Sequence, residues 1–361
     1  MLFTLSLIAA ALFALLLAKP VKNRPGAFYA VCAGLSLVFG IFDFADAPHF
    51  LSAWVLDPFR RGTLGTALFV VVMFIGGLEQ GSDLRRKLLP IRGYLSIIAS
   101  ILVLCHCVYF GKTYMVRLFT GGAVGGPLTG LQTLAMIFSI LMTLIMLPLF
   151  ITSFQKIRRR TGPQKWKKLQ RWAYLFYALI YIHVVLLLLP HALTGQPAYA
   201  VSVAVYSVVF ALYLYLRLRR SERFSREVKR GCSLAGAALA LAVTLFAVLG
   251  CAGAVRENNA ALPVADSGEQ VLHDGTFSGT GTGYGGPVEV SIVVENGLIT
   301  EIIVGEHNED APYLSQAVAL FDDVIAQQTY SVDSVTGATS TSVGLKSAIK
   351  KAMAASMEAG E

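Results

Sequence analysis

The segment from Asp333 to Thr339 has residue types suited to holding a phosphate-bearing cofactor. Two small residues, Gly337 and Ala338, precede the Thr339 hydroxyl and leave the backbone open to a ligand. A helical pattern follows, so the N–H groups at the start of that helix would point toward a nearby phosphate. The alternative is a polar turn in which Thr339 and the residues after it only cap the helix.

Two histidines lie within long apolar runs, where ionisable side chains are rare and usually functional. His106 lies 12 residues after Tyr94, and His183 lies 11 residues after Trp172. At 1.5 Å per residue, both are about 17 Å from the same membrane face. Imidazoles at equal depth on two helices suit the two axial positions of one haem b. The alternative is two unrelated histidines that form hydrogen bonds between helices.

The elements that carry the two histidines are membrane helices. The chain has 361 residues, of which 55% are hydrophobic and 14% are charged. This composition excludes an ordinary soluble domain and a disordered chain. Eight apolar runs have about the length needed to span a bilayer, at about 2–18, 27–44, 63–79, 94–111, 130–152, 172–189, 199–216 and 232–252. An all-α bundle of about eight transmembrane helices is expected over residues 1–253.

Charge divides the chain into two parts. Residues 1–253 carry 26 Lys and Arg against 7 Asp and Glu, and the remainder carries 4 against 15. The loops on one side of the apolar runs hold 22 of the basic residues and those on the other side hold 4. The positive-inside rule therefore places the amino terminus and everything after Ala252 outside the cytoplasm, in a multi-pass protein of the cell membrane. Basic clusters that alternate with apolar runs argue against nucleic-acid binding.

After a linker at 254–270, residues 271–361 predict a small extracytoplasmic α+β domain. Two β-rich runs, 288–294 and 298–304, flank the turn pair Asn296-Gly297, which is typical of a β-hairpin.

Helical spacing in this tail predicts one helix over 311–328 and a second over 342–357. Ser340 and Thr341 precede the second helix and are its expected caps.

The pattern Asp333-x-x-Thr336-Gly337-Ala338-Thr339 resembles the acceptor motif of the FMN-binding domain family. That family includes the C subunit of the sodium-pumping NADH:quinone reductase and the G subunit of the Rnf complex. The similarity covers nearly all of residues 271–353. It implies that a flavin transferase joins FMN to Thr339 through a phosphoester, and that Asp333, Thr336, Gly337 and Ala338 complete the acceptor motif.

Three further residues in this region are candidate FMN contacts. Gly285 and Gly286 would let the backbone approach the cofactor, although glycines in such a run also suit plain turns. His307 would contact the flavin or merely close a polar loop. The family's usual Thr after His-Asn-Glu is Asp310 here.

The stretch from Leu169 to Tyr174, followed by His183, resembles a helix of the ferric-reductase-like transmembrane family. That family includes NADPH oxidases and bacterial haem-binding, quinol-linked reductase subunits. Gln170 stands in the place of the family's inner histidine, and Gly93 stands where its partner would be expected. The resemblance therefore implies a single haem b, with His106 and His183 as its axial ligands.

Together these features predict a transmembrane electron-transfer flavocytochrome. The electron donor would be a membrane quinol or a cytoplasmic flavin reductase that docks on the basic loops, because the glycines lack the fingerprint of a nucleotide-binding domain. The acceptor would be an external redox protein or a small molecule, and no catalytic residue is assigned. The competing hypothesis is a haem-free, membrane-tethered FMN carrier module that serves a larger redox complex.

The sequence Val248-Leu249-Gly250-Cys251 resembles a lipobox, which would make Cys251 a lipidation site after cleavage. Seven apolar runs precede it, and this favours an eighth spanning helix instead.

Overall fold

The computed structural model of the chain describes residues 2–42, 44, 51–121, 128, 130–221, 224–258, 272–309, 311–335 and 338–359. Contacts within the chain define two compact units. The helical unit comprises the described parts of Met1–Met115, Thr129–Leu193 and Pro197–Gly250. The C-terminal unit comprises the described part of Cys251–Glu361 together with two short loop segments.

The described part of the helical unit consists mainly of α-helices. Its first part contains α1 (Leu2–Leu16), α2 (Ala18–Asn23), α3 (Pro25–Ile41), a π-helical turn (Ser52–Leu56), α4 (Asp57–Arg60), α5 (Thr63–Gly77) and α6 (Asp83–Leu88). A 3-10 turn (Leu89–Ile91) leads into α7 (Arg92–Phe119), α8 (Gly130–Ser153), α9 (Gln155–Thr161), α10 (Pro163–Gln170), α11 (Trp172–Leu193), α12 (Pro197–Arg219) and α13 (Arg226–Asn258).

Each of the eight apolar runs is mainly helical where the structure describes it, which confirms the all-α membrane architecture. Five segments are long and apolar enough to cross a membrane: Asp83–Phe119, Gly130–Ser153, Pro163–Leu193, Pro197–Arg219 and Arg226–Arg256. A sixth candidate is the pair Trp54–Arg60 and Thr63–Gly77, which is bent by 65°. Helices α1 and α3 are shorter, with 15 and 17 residues. The chain is therefore a multi-pass membrane protein.

Three arginines from other elements donate to carbonyls in the last part of α5 and just after it. Arg85 donates to the Leu78 carbonyl at 2.9 Å, and Arg92 Nε donates to the Val72 carbonyl, about one turn before the end of the helix, at 3.0 Å. Arg220 donates to the Gly76 and Leu78 carbonyls. The last carbonyls of a helix have no partners within it and carry partial negative charge, so guanidinium donors suit this end.

Helix α13 runs through the lipobox-like sequence without a break. Cys251 lies in its last third and is buried, with 5% of its surface exposed. The helix continues to Asn258, and the rest of the expected linker lies outside the described residues.

The C-terminal unit contains a three-stranded antiparallel sheet in the order β1-β2-β3: β1 (Gly275–Thr282), β2 (Pro287–Glu295) and β3 (Leu298–His307). Strand β2 alternates buried and half-exposed residues, and its buried face consists of Val288, Val290, Ile292 and Val294. The expected hairpin forms at Asn296-Gly297, where both residues have positive φ. The small α+β fold is confirmed.

Strand β1 was not expected, because its run is rich in glycine. The structure explains the glycines by close packing against a helix, α16 (Thr339–Glu358). A Cβ at Gly281 would lie 1.9 Å from the Gly344 carbonyl oxygen, and one at Gly279 would lie 2.2 Å from the Ala348 carbonyl oxygen. Only glycine lets the strand lie this close to α16.

Two helix predictions in this unit need correction. The helix expected over 311–328 is two helices, α14 (Ala311–Ala317) and α15 (Leu320–Gln327), because a turn interrupts it at residues 318–319. The last helix begins at Thr339, with Ala338 at the N-cap position and no side-chain cap. Ser340 and Thr341 therefore lie inside its first turn and are not caps.

Candidate functional site

The chain segment that leads to Thr339, residues 332–335, is held against α16 by two hydrogen bonds. Lys346 Nζ donates to the Val332 carbonyl at 2.9 Å, and the Val335 N–H donates to Ser342 Oγ at 3.1 Å. Both side chains come from α16, so that helix holds the segment that leads to Thr339. Thr336 and Gly337 of the expected motif lie outside the described residues.

Thr339 is the first residue of α16, and its side chain is exposed. Ala338 just before it is buried, with 3% exposure, and anchors the turn in the core. Asp333, at the other end of the motif, is exposed. The hydroxyl of Thr339 is therefore accessible to a modifying enzyme while its backbone is held in place.

The amino end of α16 is suited to a phosphate group. The helix has 20 residues, and its first turn contains no acidic residue and no side-chain cap. The first N–H groups of a helix lack intrahelical partners, and the helix dipole favours negative charge there. A phosphoester on Thr339 would lie at this end, so the chain's own residues fit the phosphate of FMN.

Lys346 is the titratable group at this site with a shifted pKa. Burial lowers its pKa from the usual value of 10.5, and the nearby carboxylate of Asp333 opposes that shift. The amine lies two helical turns after Thr339 on α16.

The three candidate FMN contacts outside the Asp333–Thr339 motif differ in exposure. Two of them, Gly285 and Gly286, lie in the glycine-rich turn at residues 283–286, and His307 ends β3. His307 is exposed at the end of β3. Gly285 is buried, and its N–H donates to Glu309 Oε1 at 2.6 Å. Gly286 has a φ of +130°, which strongly favours glycine. Asp310 lies outside the described residues.

Glu309 was not singled out from the sequence, yet it is the best-connected side chain of this region. It is 5% exposed, and its carboxylate accepts hydrogen bonds from the Gly285 N–H and the Thr341 hydroxyl. Glu309 lies in the motif Glu306-His307-Asn308-Glu309, of which only His307 was selected from the sequence as a candidate contact.

In the helical unit, the structure brings the two membrane histidines together. His106 on α7 and His183 on α11 have ring centroids 6.4 Å apart and ring planes at 81°. Two imidazoles bound to opposite faces of one metal, with metal–nitrogen bonds of about 2 Å, have ring centres about 6 Å apart. The separation of the pair therefore fits one iron between the rings.

Each histidine of the pair is oriented by a neighbour at its Nδ1 atom. His106 Nδ1 lies 2.9 Å from the Arg60 carbonyl oxygen, and His183 Nδ1 lies 3.5 Å from Ser139 Oγ. Ligating histidines commonly hold their second nitrogen in this way, which fixes the ring orientation. Arg60 and Ser139 were not found from the sequence, because their role depends on contacts between helices.

Arg60 is itself held in place. It is buried, and its guanidinium donates to the carbonyls of Phe39 at 3.1 Å and Phe42 at 2.9 Å. The same group lies 4.5 Å from the ring centre of Tyr109. These contacts fix the carbonyl that receives His106.

Gln170 stands where the ferric-reductase-like family has its inner histidine, and no histidine is among the described residues that line the cavity there. Gln170 and Tyr177 line a cavity of about 40 Å³, and the Gln170 amide nitrogen and the Tyr177 hydroxyl have no hydrogen-bond partner among the described residues. This volume is enough for a water molecule that could bond to both polar groups, and neither Gln170 nor Tyr177 supplies an imidazole nitrogen to an iron. Within the described parts of the chain, no cluster of three or more His, Cys, Asp or Glu is placed to bind a metal. The histidine pair thus has no third side chain of these types placed beside it to bind a metal among the described residues.

The fold and the two sites define a membrane electron-transfer flavoprotein. Residues 283–354 match the FMN-binding domain model, and residues 61–181 match the model of the ferric reductase like transmembrane component. Both resemblances seen in the sequence are thereby confirmed. A protein of Treponema pallidum (strain Nichols), described as an "Uncharacterized protein", is 32% identical over 356 residues, which cover 96% of this chain and 97% of the relative.

The chain belongs to the same family as that Treponema protein. In this chain, a match to the ferric reductase like transmembrane component is followed by a match to the FMN-binding domain. No solved structure matches the chain.

Proposed function

We propose that the protein is a transmembrane flavocytochrome that passes electrons outward. Electrons from a membrane quinol or a cytoplasmic flavin reductase would pass by way of haem b, held by His106 and His183, to FMN linked covalently to Thr339. The flavin would then reduce an extracytoplasmic redox protein or a small acceptor. Haem exchanges single electrons and FMN holds one or two, so this pair of cofactors suits one-electron delivery to varied acceptors.

The observation that carries this proposal is the facing pair of histidines. Their ring centres are 6.4 Å apart, and the nitrogen that each ring presents to a neighbour is Nδ1. In each ring, Nε2 is thereby the atom left to ligate iron. A pair of unrelated hydrogen-bonding histidines would not need this separation.

Support for the covalent flavin comes from the acceptor turn. Thr339 is exposed at the uncapped amino end of α16, and Lys346 and Ser342 fix the segment before it. A flavin transferase requires an accessible hydroxyl on a stable turn, and covalent attachment would retain FMN outside the cell.

The direction of transfer rests on charge. The loops on the expected cytoplasmic side carry most of the Lys and Arg residues, including those of α9 and α10. These basic helices are a suitable docking surface for an electron-donating flavoprotein with an acidic face, although a membrane quinol would need no such surface.

The first experiment is a reduced-minus-oxidised visible spectrum of the purified full-length protein. Wild type should show a b-type haem signal, and His106→Ala and His183→Ala should each lose it. His191→Ala is the matched control, because His191 lies on the same helix as His183 and its ring packs against Tyr199 at 4.9 Å. It should keep the haem.

The second experiment is peptide mass spectrometry of the same protein. One FMN minus water should be found on Thr339 and should disappear in Thr339→Ala, whereas Ser340→Ala should retain it. An FMN adduct on this peptide in Thr339→Ala would contradict the assignment of Thr339 as the attachment site.

A folded, flavinylated protein without haem would support the competing hypothesis, a membrane-tethered FMN carrier. In that case its flavin would be reduced only after partner subunits are added.

A further inference from the structure

Glu309 is the only acidic side chain that is buried among the residues the structure describes. It follows β3 by two residues and is 5% exposed. No cation pairs with its carboxylate among the described residues, since its partners are the Gly285 N–H and the Thr341 hydroxyl. A buried charge without a counter-ion is costly for a fold, so stability alone is a poor reason for an acid at this position.

The surrounding backbone is shaped around this carboxylate. A Cβ at Gly283 would lie 2.6 Å from Glu309 Oε1, and a Cβ at Gly285 would lie 1.9 Å from the Asn308 carbonyl oxygen. Both glycines are therefore needed for the turn to close on the loop that carries Glu309. These two positions explain part of the glycine-rich run without a ligand.

The two partners of Glu309 lie in two separate turns, the one that carries Thr339 and the glycine-rich one at residues 283–286. Thr341 lies two residues after Thr339, in the first turn of α16. Gly285 lies beside Tyr284, whose ring packs against Tyr313 with centroids 5.4 Å apart. One carboxylate thus joins the acceptor turn to the glycine-rich turn and its aromatic pair.

We propose that Glu309 is a positioning residue of the flavin site: it holds the acceptor turn against the glycine-rich turn, and its charge lowers the reduction potential of the bound FMN. This inference rests on the proposed attachment of FMN to Thr339. Reduction adds negative charge to the flavin, and a buried carboxylate nearby opposes that change because the low dielectric around it screens charge poorly.

The test uses the full-length protein with Glu309→Gln, Glu309→Ala and the control Glu306→Gln. Glutamine keeps the shape and both hydrogen bonds, since its carbonyl accepts from Gly285 and its amide donates to the Thr341 oxygen. Glu306 is exposed on β3, and its substitution makes the same change in net charge. Two quantities are measured: the fraction of Thr339 that carries FMN and the flavin midpoint potential.

Glu309→Gln should carry FMN on the same fraction of Thr339 as wild type. At a fixed potential, the ratio of reduced to oxidised flavin in this variant should be at least tenfold higher than in wild type. For a two-electron couple this is a shift of about 30 mV in the positive direction. Glu306→Gln should match wild type in both quantities. Glu309→Ala leaves two donors unpaired and should lose most of its flavin.

A wild-type potential in Glu309→Gln would overturn the electrostatic role, and full flavinylation of Glu309→Ala would overturn the positioning role. Absence of FMN from Thr339 in wild type would instead refute the proposed function on which both depend.

Discussion

The Nδ1 atom of His106 lies 2.9 Å from the carbonyl oxygen of Arg60. A carbonyl oxygen only accepts hydrogen bonds, so Nδ1 must carry the proton and Nε2 must be the unprotonated nitrogen. That tautomer is the one able to bind a metal through Nε2. The end of the short helix α4 therefore sets the chemistry of a side chain 46 residues further along the chain.

Gly62 offers a test of this arrangement. It has a φ of +68°, and a Cβ there would lie 3.0 Å from His106 Cγ. Gly62→Ala should displace the imidazole and reduce the haem content of the purified protein, measured from the difference spectrum per mole of chain.

Gly81→Ala is the control for backbone strain. Gly81 has a φ of +84°, and no atom of the described residues lies within 4 Å of its Cβ position. Both substitutions carry a strain cost of about 1 to 3 kcal/mol, but only Gly62→Ala should lower haem content. Equal haem loss in both variants would show that strain, and not contact with His106, is responsible.

The packing of β1 on α16 should control flavin attachment. In Gly281→Ala the new methyl group would overlap the Gly344 carbonyl and move the helix that begins at Thr339. Overpacking of this kind costs about 1 to 3 kcal/mol, so thermal stability and FMN occupancy should both fall.

Gly305→Ala is the matched strand substitution. Gly305 lies on β3, and its nearest contact would be the flexible side chain of Glu289 at 3.2 Å. Occupancy of Thr339, measured by peptide mass spectrometry, should stay at the wild-type level. Normal occupancy in Gly281→Ala would contradict the link between packing and attachment.

Lys346 predicts a specific dependence of stability on alkaline pH. Burial lowers its pKa in the folded state, so between the folded and unfolded pKa values the unfolded chain binds more protons. The free energy of unfolding contributed by this group should therefore rise with pH through that window and stay constant below it.

Thermal unfolding of the C-terminal unit, followed in the full-length protein by flavin fluorescence, measures this effect. Lys346→Met should remove the alkaline rise. The exposed Lys351, whose amine donates to the Thr280 carbonyl at 2.8 Å, supplies the control Lys351→Met, which should retain it. An unchanged pH profile in Lys346→Met would assign the rise to another group.

The proposed membrane orientation is testable with a membrane-impermeant maleimide on intact cells. In a Cys232→Ser background, which removes the exposed native thiol, Glu301→Cys on β3 should be labelled from outside. Arg159→Cys on α9 should be labelled only after the membrane is opened. Both positions are exposed in the structure, and the reverse labelling pattern would invert the proposed direction of electron transfer.

Much of the architecture was readable from the sequence because its signals are local. Apolar runs of membrane length, the Asn296-Gly297 turn and the alternation of β2 each specify an element directly. Strand β1 escaped detection because its glycines are selected by contact with α16, which lies more than 50 residues further along the chain. The break between α14 and α15 was also missed, since apolar spacing continues through it.

The site was predictable where motifs carry it and not where tertiary contacts do. The segment from Asp333 to Thr339 was assigned through its resemblance to the FMN-binding domain family, and His106 and His183 were paired by their equal depth in two apolar runs. Arg60 and Ser139 act at the histidine pair through a backbone carbonyl and a hydroxyl, which no pattern in the chain reveals. Glu309 lay inside a recognised motif, but only its burial distinguishes it from the exposed His307.

The three arginines that donate to carbonyls near the end of α5 have two separate roles. In the proposed orientation, Arg85, Arg92 and Arg220 act during insertion as positive charges that retain their loops in the cytoplasm. After folding, they supply donors to the Leu78, Val72 and Gly76 carbonyls. Lysine serves the first role but has no planar fork of donors for the second. Arginine is therefore favoured over lysine at these three positions, because only its fork of donors can reach these carbonyls while it also supplies the positive charge.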